Sequence, residues 1–241
     1  MTGGRKRVAV YGGTFDPVHV GHAAVARSLS LLFGLDEVLF VPAFVAPHKR
    51  DRKVSPAFDR HAMLALATQD EASFRVSTVE LSAPEKPYTV ETLTGLCETL
   101  GGRARLFFVM GADSWEEITT WREWERVLSL TDHLVVTRPG YDLPAGHVTG
   151  TVRGRMVDVR GAPRGRVEEE LQKNEGPRVY LTDAVNVKVA ATDVRAAVAR
   201  GEWDALGELV APAVAGYIRK YGLYRETDGT EFSDAGIKGT H

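Results

Sequence analysis

The chain has 241 residues with 30 Lys and Arg against 32 Asp and Glu, an ordinary globular composition with room for one large or two small domains. Its near-zero net charge excludes a general nucleic-acid binder, which needs a basic face to displace counterions. A lone cysteine, Cys97, excludes an internal disulfide and a cysteine-paired metal site, and fits a reducing cytosol.

Met1 to Arg7 is polar and basic, and the apolar run after it spans only about five residues, too short for a signal peptide. No run nears the roughly twenty apolar residues of a membrane span. These features predict a cytoplasmic protein with neither nucleic-acid nor membrane partners; homo-oligomerisation is left open.

Val8 to Tyr11 reads as a short strand ended by Gly12 and Gly13. Residues 21–33 read as a helix with Val25, Ser28, Leu29 and Leu32 on one face and Phe33 beside them. Val38 to Val41 predicts a second strand, followed by a basic loop from Pro47 to Lys53. Phe58, Ala62, Ala65 and Leu66 predict the face of a second helix, and Val76 to Leu81 a weak strand. Leu93, Leu96, Cys97 and Leu100 mark an amphipathic helix, and Cys97 on its apolar face reads as a small core residue. Leu106 to Met110, Leu134 to Thr137 and Val179 to Leu181 predict further strands, and Val214, Tyr217, Ile218 and Tyr221 one face of a closing helix.

Short apolar strands alternating with helices predict an α/β fold: a Rossmann-like open parallel sheet with helices on both faces. Residues 1–225 are expected to form a single domain. Residues 145–178, rich in Gly and Arg, read as an excursion with a short strand near Met156 to Val159, and as a loop, an interface or a lid. Residues 226–241 are expected to form a disordered tail.

The densest signal is Gly12-Gly13-Thr14-Phe15-Asp16-Pro17-Val18-His19-Val20-Gly21-His22, which runs from the first strand into the first helix. Ligands of open α/β sheets bind at such carboxyl strand ends. Gly12 and Gly13 would let the backbone turn and approach a ligand, and Gly21 would leave room for a nucleotide. A helix start offers free N–H groups to phosphate. His19 and His22, three apart, can share one face and donate to phosphate oxygens. The glycine spacing is neither the dinucleotide fingerprint nor a P-loop, which argues against an NAD-dependent oxidoreductase.

In Ala190-Ala191-Thr192-Asp193-Val194-Arg195, Thr192 reads as a helix N-cap with Asp193 in the first turn. Arg195, a cation near the positive end of the macrodipole, is easier to explain if an anion also binds there.

The first string resembles the H-x-G-H nucleotidyltransferase superfamily and, in its longer form, the nicotinate (nicotinamide) mononucleotide adenylyltransferase family. The resemblance runs from about Arg7 to Tyr224 outside residues 145–178. It implies adenylyl transfer from ATP to a pyridine mononucleotide, with Mg2+ entering with ATP and no residues assigned to the metal. It implies that His19, His22, Arg195 and Lys49 of Pro47-His48-Lys49 act on the triphosphate. Gly12, Gly13, Thr14, Phe15, Gly21, Gly111, Asp113 and Thr192 are implied in ATP binding. Tyr88 and Thr89 would hold the pyridine carboxylate, Trp121 would stack on the ring (with Trp124 its rival), and Arg138 would pair with a phosphate or carboxylate. The family's S-S-T-x-I-R segment departs here by alanine at 190 and 191, so two hydroxyl donors are missing.

Nicotinate mononucleotide is the expected acceptor. Its amide, a pantetheine-phosphate or cytidylyl-transfer reaction, and a weakened nucleotide-binding regulator are the alternatives.

Overall fold

The computed structural model describes residues 5–44, 54–83, 87–100, 102–138, 140–173, 176–183 and 189–225. In chain order these form β1 (Lys6–Gly13), α1 (Val20–Phe33), β2 (Glu37–Pro42), α2 (Ala57–Thr68), β3 (Phe74–Val76), α3 (Thr89–Leu100) and β4 (Ala104–Gly111). There follow α4 (Ala112–Glu116), a 3-10 turn (Ile118–Thr120), α5 (Trp124–Leu130), β5 (Asp132–Val136), α6 (Gly150–Arg153), β6 (Met156–Asp158) and α7 (Arg164–Gln172). The chain then runs through β7 (Val179–Thr182), α8 (Ala191–Ala199), α9 (Trp203–Leu209) and α10 (Pro212–Tyr221).

The strands make one seven-stranded sheet in the order β3-β2-β1-β4-β5-β7-β6, with every pair parallel. Alternation along β1 sends Ala9 into one core and Val8 and Val10 into the other. The first core takes Leu29 and Phe33 of α1, Met63 of α2, Val167 of α7, and Val194 and Ile218 of α8 and α10. The second takes Leu93 of α3, Trp115 of α4, and Val127 and Leu128 of α5. Burial on both faces is why the strands read as continuous apolar runs. α1 stops at Gly34, whose φ of +60° suits glycine and whose N–H closes on the Ser30 carbonyl.

Strand order reverses between β1 and β4, so their carboxyl ends splay apart and open a crevice between the loops that follow them.

Three sequence expectations change. The third strand is Phe74–Val76, at the start of the expected Val76 to Leu81 stretch and ahead of most of it. α2 buries Arg60, Met63, Leu64 and Thr68, while Phe58 is 69% exposed, so its face is rotated from the expected one. Residues 145–178 are built into the domain: α6, β6 as an edge strand beside β7, and α7 against α1. Buried Val148, Val152, Val159, Val167 and Leu171 seat this segment in the two cores, and an ion pair ties α7 to the first strand. Arg7 of β1 pairs through both terminal nitrogens with Glu168 of α7, at 2.6 and 2.7 Å, and donates to the Phe33 carbonyl. Cys97 packs against the second core, and burial raises its thiol pKa, as suits a structural residue. Among the described residues no helix is long and apolar enough to cross a membrane.

His133 lies fully buried in β5, its Nδ1 3.0 Å from the Thr131 carbonyl and its Nε2 without a partner among the described residues. Burial depresses its pKa from 6.5 to about 3. The unfolded chain therefore takes up a proton near pH 6.5 that the native state refuses until about pH 3. Stability carried by neutral His133 is complete above 6.5 and is lost as pH falls through that window, at up to about 1.4 kcal/mol per pH unit. His133→Asn can keep a donor to Thr131 but cannot titrate. Urea midpoints measured between pH 7.5 and 4 should fall less steeply for the variant; equal slopes would remove His133 from the account.

Candidate active site

The loop from β1 to α1 sits at the crevice. Gly12 and Gly13 are not its turn: both continue β1, beside Val41 and Pro42 of β2. They are small because aromatic rings lie on them. A Cβ at Gly13 would meet the Phe15 ring at 2.9 Å, and one at Gly12 the Phe108 ring at 3.2 Å. The turn comes at Phe15, whose φ of +49° is left-handed and unfavourable for a bulky side chain, at a cost of about 1–2 kcal/mol. Its buried ring packs edge-on against Tyr11, Phe40 and His22.

His19 is the N-cap of α1, where Ser, Thr, Asp or Asn would normally cap; its ring makes no capping bond. The His19 and His22 rings lie 3.7 Å apart, on one face as the spacing predicts. The His19 N–H donates to His22 Nδ1 at 3.2 Å, which puts the His22 proton on Nε2 and makes that atom a donor. Burial lowers the His19 pKa to about 4, with Asp193 pulling back only weakly. At neutral pH His19 is thus a hydrogen-bonding group, not a cation, until an anion arrives.

α8 starts beside α1. Its N-cap is Ala190, not Thr192, which lies exposed in the first turn. The Ala190 N–H is capped from within by Asp193 Oδ2 at 2.8 Å, which displaces the expected cap two residues upstream. Arg195 donates from Nη1 to the Asp16 main-chain carbonyl at 2.6 Å, across 179 residues of sequence. Two helix N-termini and a guanidinium therefore converge on the first loop, an arrangement suited to a polyanion.

Sequence reasoning missed what holds this loop. Arg60 of α2 is 1% exposed. It donates to Thr14 O at 2.7 Å, Ala43 O at 2.7 Å, Ser55 O at 3.0 Å and Phe44 O at 3.3 Å, joining the loops after β1 and β2 to the start of α2. Asp16, 2% exposed, accepts from the Tyr224 hydroxyl at 2.8 Å and the Ser55 N–H at 3.4 Å. One signal was available: Arg60, Met63 and Leu64 share a helical face, and an arginine in an apolar stripe has a fixed task.

Gly111 stands exposed at the end of β4, and Asp113 exposed in the first turn of α4. Trp121 packs edge-on against Phe108, the ring that covers Gly12, whereas Trp124 opens α5. Tyr88 caps α3 through its N–H to Glu91 at 2.8 Å and lies under the Arg122 guanidinium, 4.8 Å from the ring centre. Thr89 is the first residue of α3, and Gly21 is buried in the first turn of α1. Arg138 is exposed two residues beyond β5. Pro47, His48 and Lys49, with the tail 226–241, lie outside the described residues. Among the described residues no three His, Cys, Asp or Glu side chains gather as a metal site.

Residues 10–197 match the model of the cytidylyltransferase-like family. A relative from Symbiobacterium thermophilum, named "Probable nicotinate-nucleotide adenylyltransferase", is 38% identical over 90% of this chain and 95% of its own. One of the same name from Acidothermus cellulolyticus is 34% identical over 95% and 99%. The chain belongs to the nicotinate-nucleotide adenylyltransferase family. The family's fold recurs in the nicotinic acid mononucleotide adenylyltransferase of Plasmodium falciparum complexed with NaAD, with a TM-score of 0.65 over 91% of this chain and 97% of that one at 20% identity.

Three predictions test the loop and its neighbours. Gly13→Ala drives a Cβ into the Phe15 ring and should destabilise by about 1–3 kcal/mol with loss of turnover. At Gly111 a Cβ meets nothing within 4 Å. Gly111→Ala should therefore keep the melting temperature, and should raise KM for ATP several-fold if the nucleotide uses that space; an unchanged KM would remove Gly111 from ATP binding. Ala190→Ser restores a cap and should stabilise α8 by about 1 kcal/mol, visible as a rise of about 2–4 °C in Tm. A Tm that stays put would mean Asp193 already supplies the whole cap.

Proposed function

We propose that the protein transfers the adenylyl group of ATP to nicotinate mononucleotide, giving nicotinate adenine dinucleotide and pyrophosphate in the route to NAD. A phosphate oxygen of the acceptor attacks the α-phosphorus in line. The bond from that phosphorus to the bridging oxygen breaks, and pyrophosphate leaves with the electron pair. Such transfers need positioning and charge stabilisation more than covalent help from the protein. The observation that carries the reading is the convergence of His19, His22 and Arg195 at two helix N-termini beside the sheet's switch point.

In this reading His22 Nε2–H, the neutral His19 ring, Arg195, Thr192 and Lys49 engage the triphosphate. Mg2+ arrives with ATP as part of the substrate. Thr14, Phe15, Gly12, Gly13 and Gly21 shape the nucleotide's bed, and Gly111 with Asp113 face the adenosine. Trp121 stacks on the pyridine ring, with Tyr88 and Thr89 at its substituent and Arg138 toward the acceptor's charge. Arg122, held over Tyr88, is balanced by Glu91 at 3.5 Å and Glu123 at 3.9 Å, so the positive charge for the acceptor's substituent is that of Arg138. This favours a carboxylate over a neutral amide, as do the names of the relatives.

The test is pyrophosphate release with ATP and Mg2+ against three acceptors. Nicotinate mononucleotide should turn over at least about tenfold faster than its amide, and phosphopantetheine not at all. His22→Ala should lower kcat about 100- to 1000-fold, the usual loss when one donor to a developing charge is removed. EDTA should stop turnover and Mg2+ restore it. A preference for the amide would overturn the acceptor, and an unchanged kcat in His22→Ala would remove that residue from the mechanism.

A further inference from the structure

Asp16 is gripped from both sides. Its carboxylate accepts from the hydroxyl of Tyr224, 208 residues away, at 2.8 Å, and its main-chain carbonyl accepts from Arg195 at 2.6 Å. Ser55 adds its N–H to the same carboxylate oxygen at 3.4 Å, and its side chain hydrogen-bonds the Tyr224 hydroxyl. The contact is flanked by left-handed backbone: φ is +49° at Phe15, the residue before Asp16, and +62° at Tyr224 itself. Neither is glycine, so surrounding contacts must hold these conformations. α2 supplies much of that restraint through two successive residues. Arg60 holds the loop carbonyls, and Asp59 accepts from Tyr217 of α10 at 2.7 Å, seating the helix that delivers Tyr224.

We propose that Tyr224 is a positioning residue of the adenylyl transfer: its hydroxyl fixes Asp16, and the Asp16 carbonyl in turn aims the Arg195 guanidinium at the triphosphate. The last turn of the fold thereby completes the site begun by the first strand. The proposal rests on reading Arg195 as a triphosphate ligand. Tyr224 makes no claim on substrate itself; it acts through the loop. Misplacement of a phosphate ligand by about 1 Å is enough to slow such a reaction about 100-fold.

The experiment is a double-mutant cycle on the full-length protein, with Tyr224→Phe, Arg195→Ala and the pair. Single-turnover rates are taken at saturating ATP with enzyme in excess, and Tm is recorded for each. Tyr224→Phe removes one oxygen and should slow the transfer about tenfold with a smaller change in KM for ATP. In the Arg195→Ala background the same substitution should slow it less than about twofold, because the group it positions is gone. A merely stabilising tyrosine would lower Tm and cost the same factor in both backgrounds; that result, or an unchanged rate in Tyr224→Phe, overturns the proposal. If Arg195→Ala itself turns over normally, the reading of Arg195 falls and the proposal with it. A slow Arg195→Ala beside a normal Tyr224→Phe sinks the proposal alone. Asp16→Asn, which weakens the acceptor while keeping its shape, should behave as Tyr224→Phe does and serves if that variant folds poorly.

Discussion

A guanidinium buried beneath the first loop holds the nucleotide end of this fold together. Taking Arg60 out of water is costly, and burial pulls its pKa down while the Asp16 carboxylate pulls it back. That cost is met by four carbonyl partners in three separate stretches: Thr14, Ala43 with Phe44, and Ser55. None of these stretches lies in a strand or helix, so backbone ladders do not satisfy them. Without Arg60 these carbonyls would each lose a partner, at up to about 1–3 kcal/mol where water cannot reach them. Lysine could not substitute, because only a planar fork reaches partners in several directions at once. The left-handed turn at Phe15 is stable because both its neighbours, Thr14 and Asp16, are tied down.

The same restraint sets the electrostatics. A site for a triphosphate has reason to collect cations in advance. Here the first turn of α1 instead presents two imidazoles 3.7 Å apart, one with its pKa depressed to about 4. Two positive rings at that distance would repel, and a neutral His19 removes that repulsion. Positive character comes from groups that need no proton: the helix N-termini and Arg195. Fixed dipoles do not reorganise when charge moves from the α-phosphate to the departing pyrophosphate, which is the condition for stabilising a transition state. An incoming polyanion would raise the His19 pKa, so binding and protonation favour each other.

What could be read from the sequence divides along physical lines. The sheet was legible because parallel strands buried on both faces leave unmistakable apolar runs, as at Leu106 to Met110 and Val8 to Tyr11. The first motif was legible because eleven residues carry one task. The face of α2 was misread because Arg60 counts as polar in any periodicity, although it lies in the core side by side with Met63. In segment 145–178 the short strand near Met156 to Val159 was legible and is β6, whereas α7 was not, because it has few apolar residues and one of its ties, the Arg7–Glu168 pair, joins residues 161 apart. The grip of Tyr224 on Asp16 has no local signature at all, since distance along the chain hides it. Gly12 and Gly13 were noticed for the wrong reason: the approaching groups include the protein's own rings, Phe108 and Phe15.

The alanines at 190 and 191 raise the question of whether this site has been silenced. The geometry argues against that. A hydroxyl at the N-cap has two uses, to close the helix start and to donate to a ligand. The first is taken over only in part by Asp193, whose carboxylate closes on the Ala190 N–H, as His22 Nδ1 closes on the His19 N–H in α1. In both helices the third residue caps backward, the reciprocal half of a capping box. That bond engages the N-cap N–H and leaves the N–H groups of Ala191 and Thr192 for a ligand, while those of Asp193 and Val194 turn back to the Ala190 carbonyl. What is lost is at most two neutral hydrogen bonds to phosphate, each worth about 0.5–1.5 kcal/mol net. Arg195 remains, and a charge-assisted bond to phosphate is roughly twice as strong as a neutral one. A loss of that size shifts affinity for ATP by about one order of magnitude and leaves the aim of the reacting groups intact. A disabled regulator would instead be expected to lose the group that is hardest to keep, and the 2.6 Å contact from Arg195 to Asp16 shows that group still held in place.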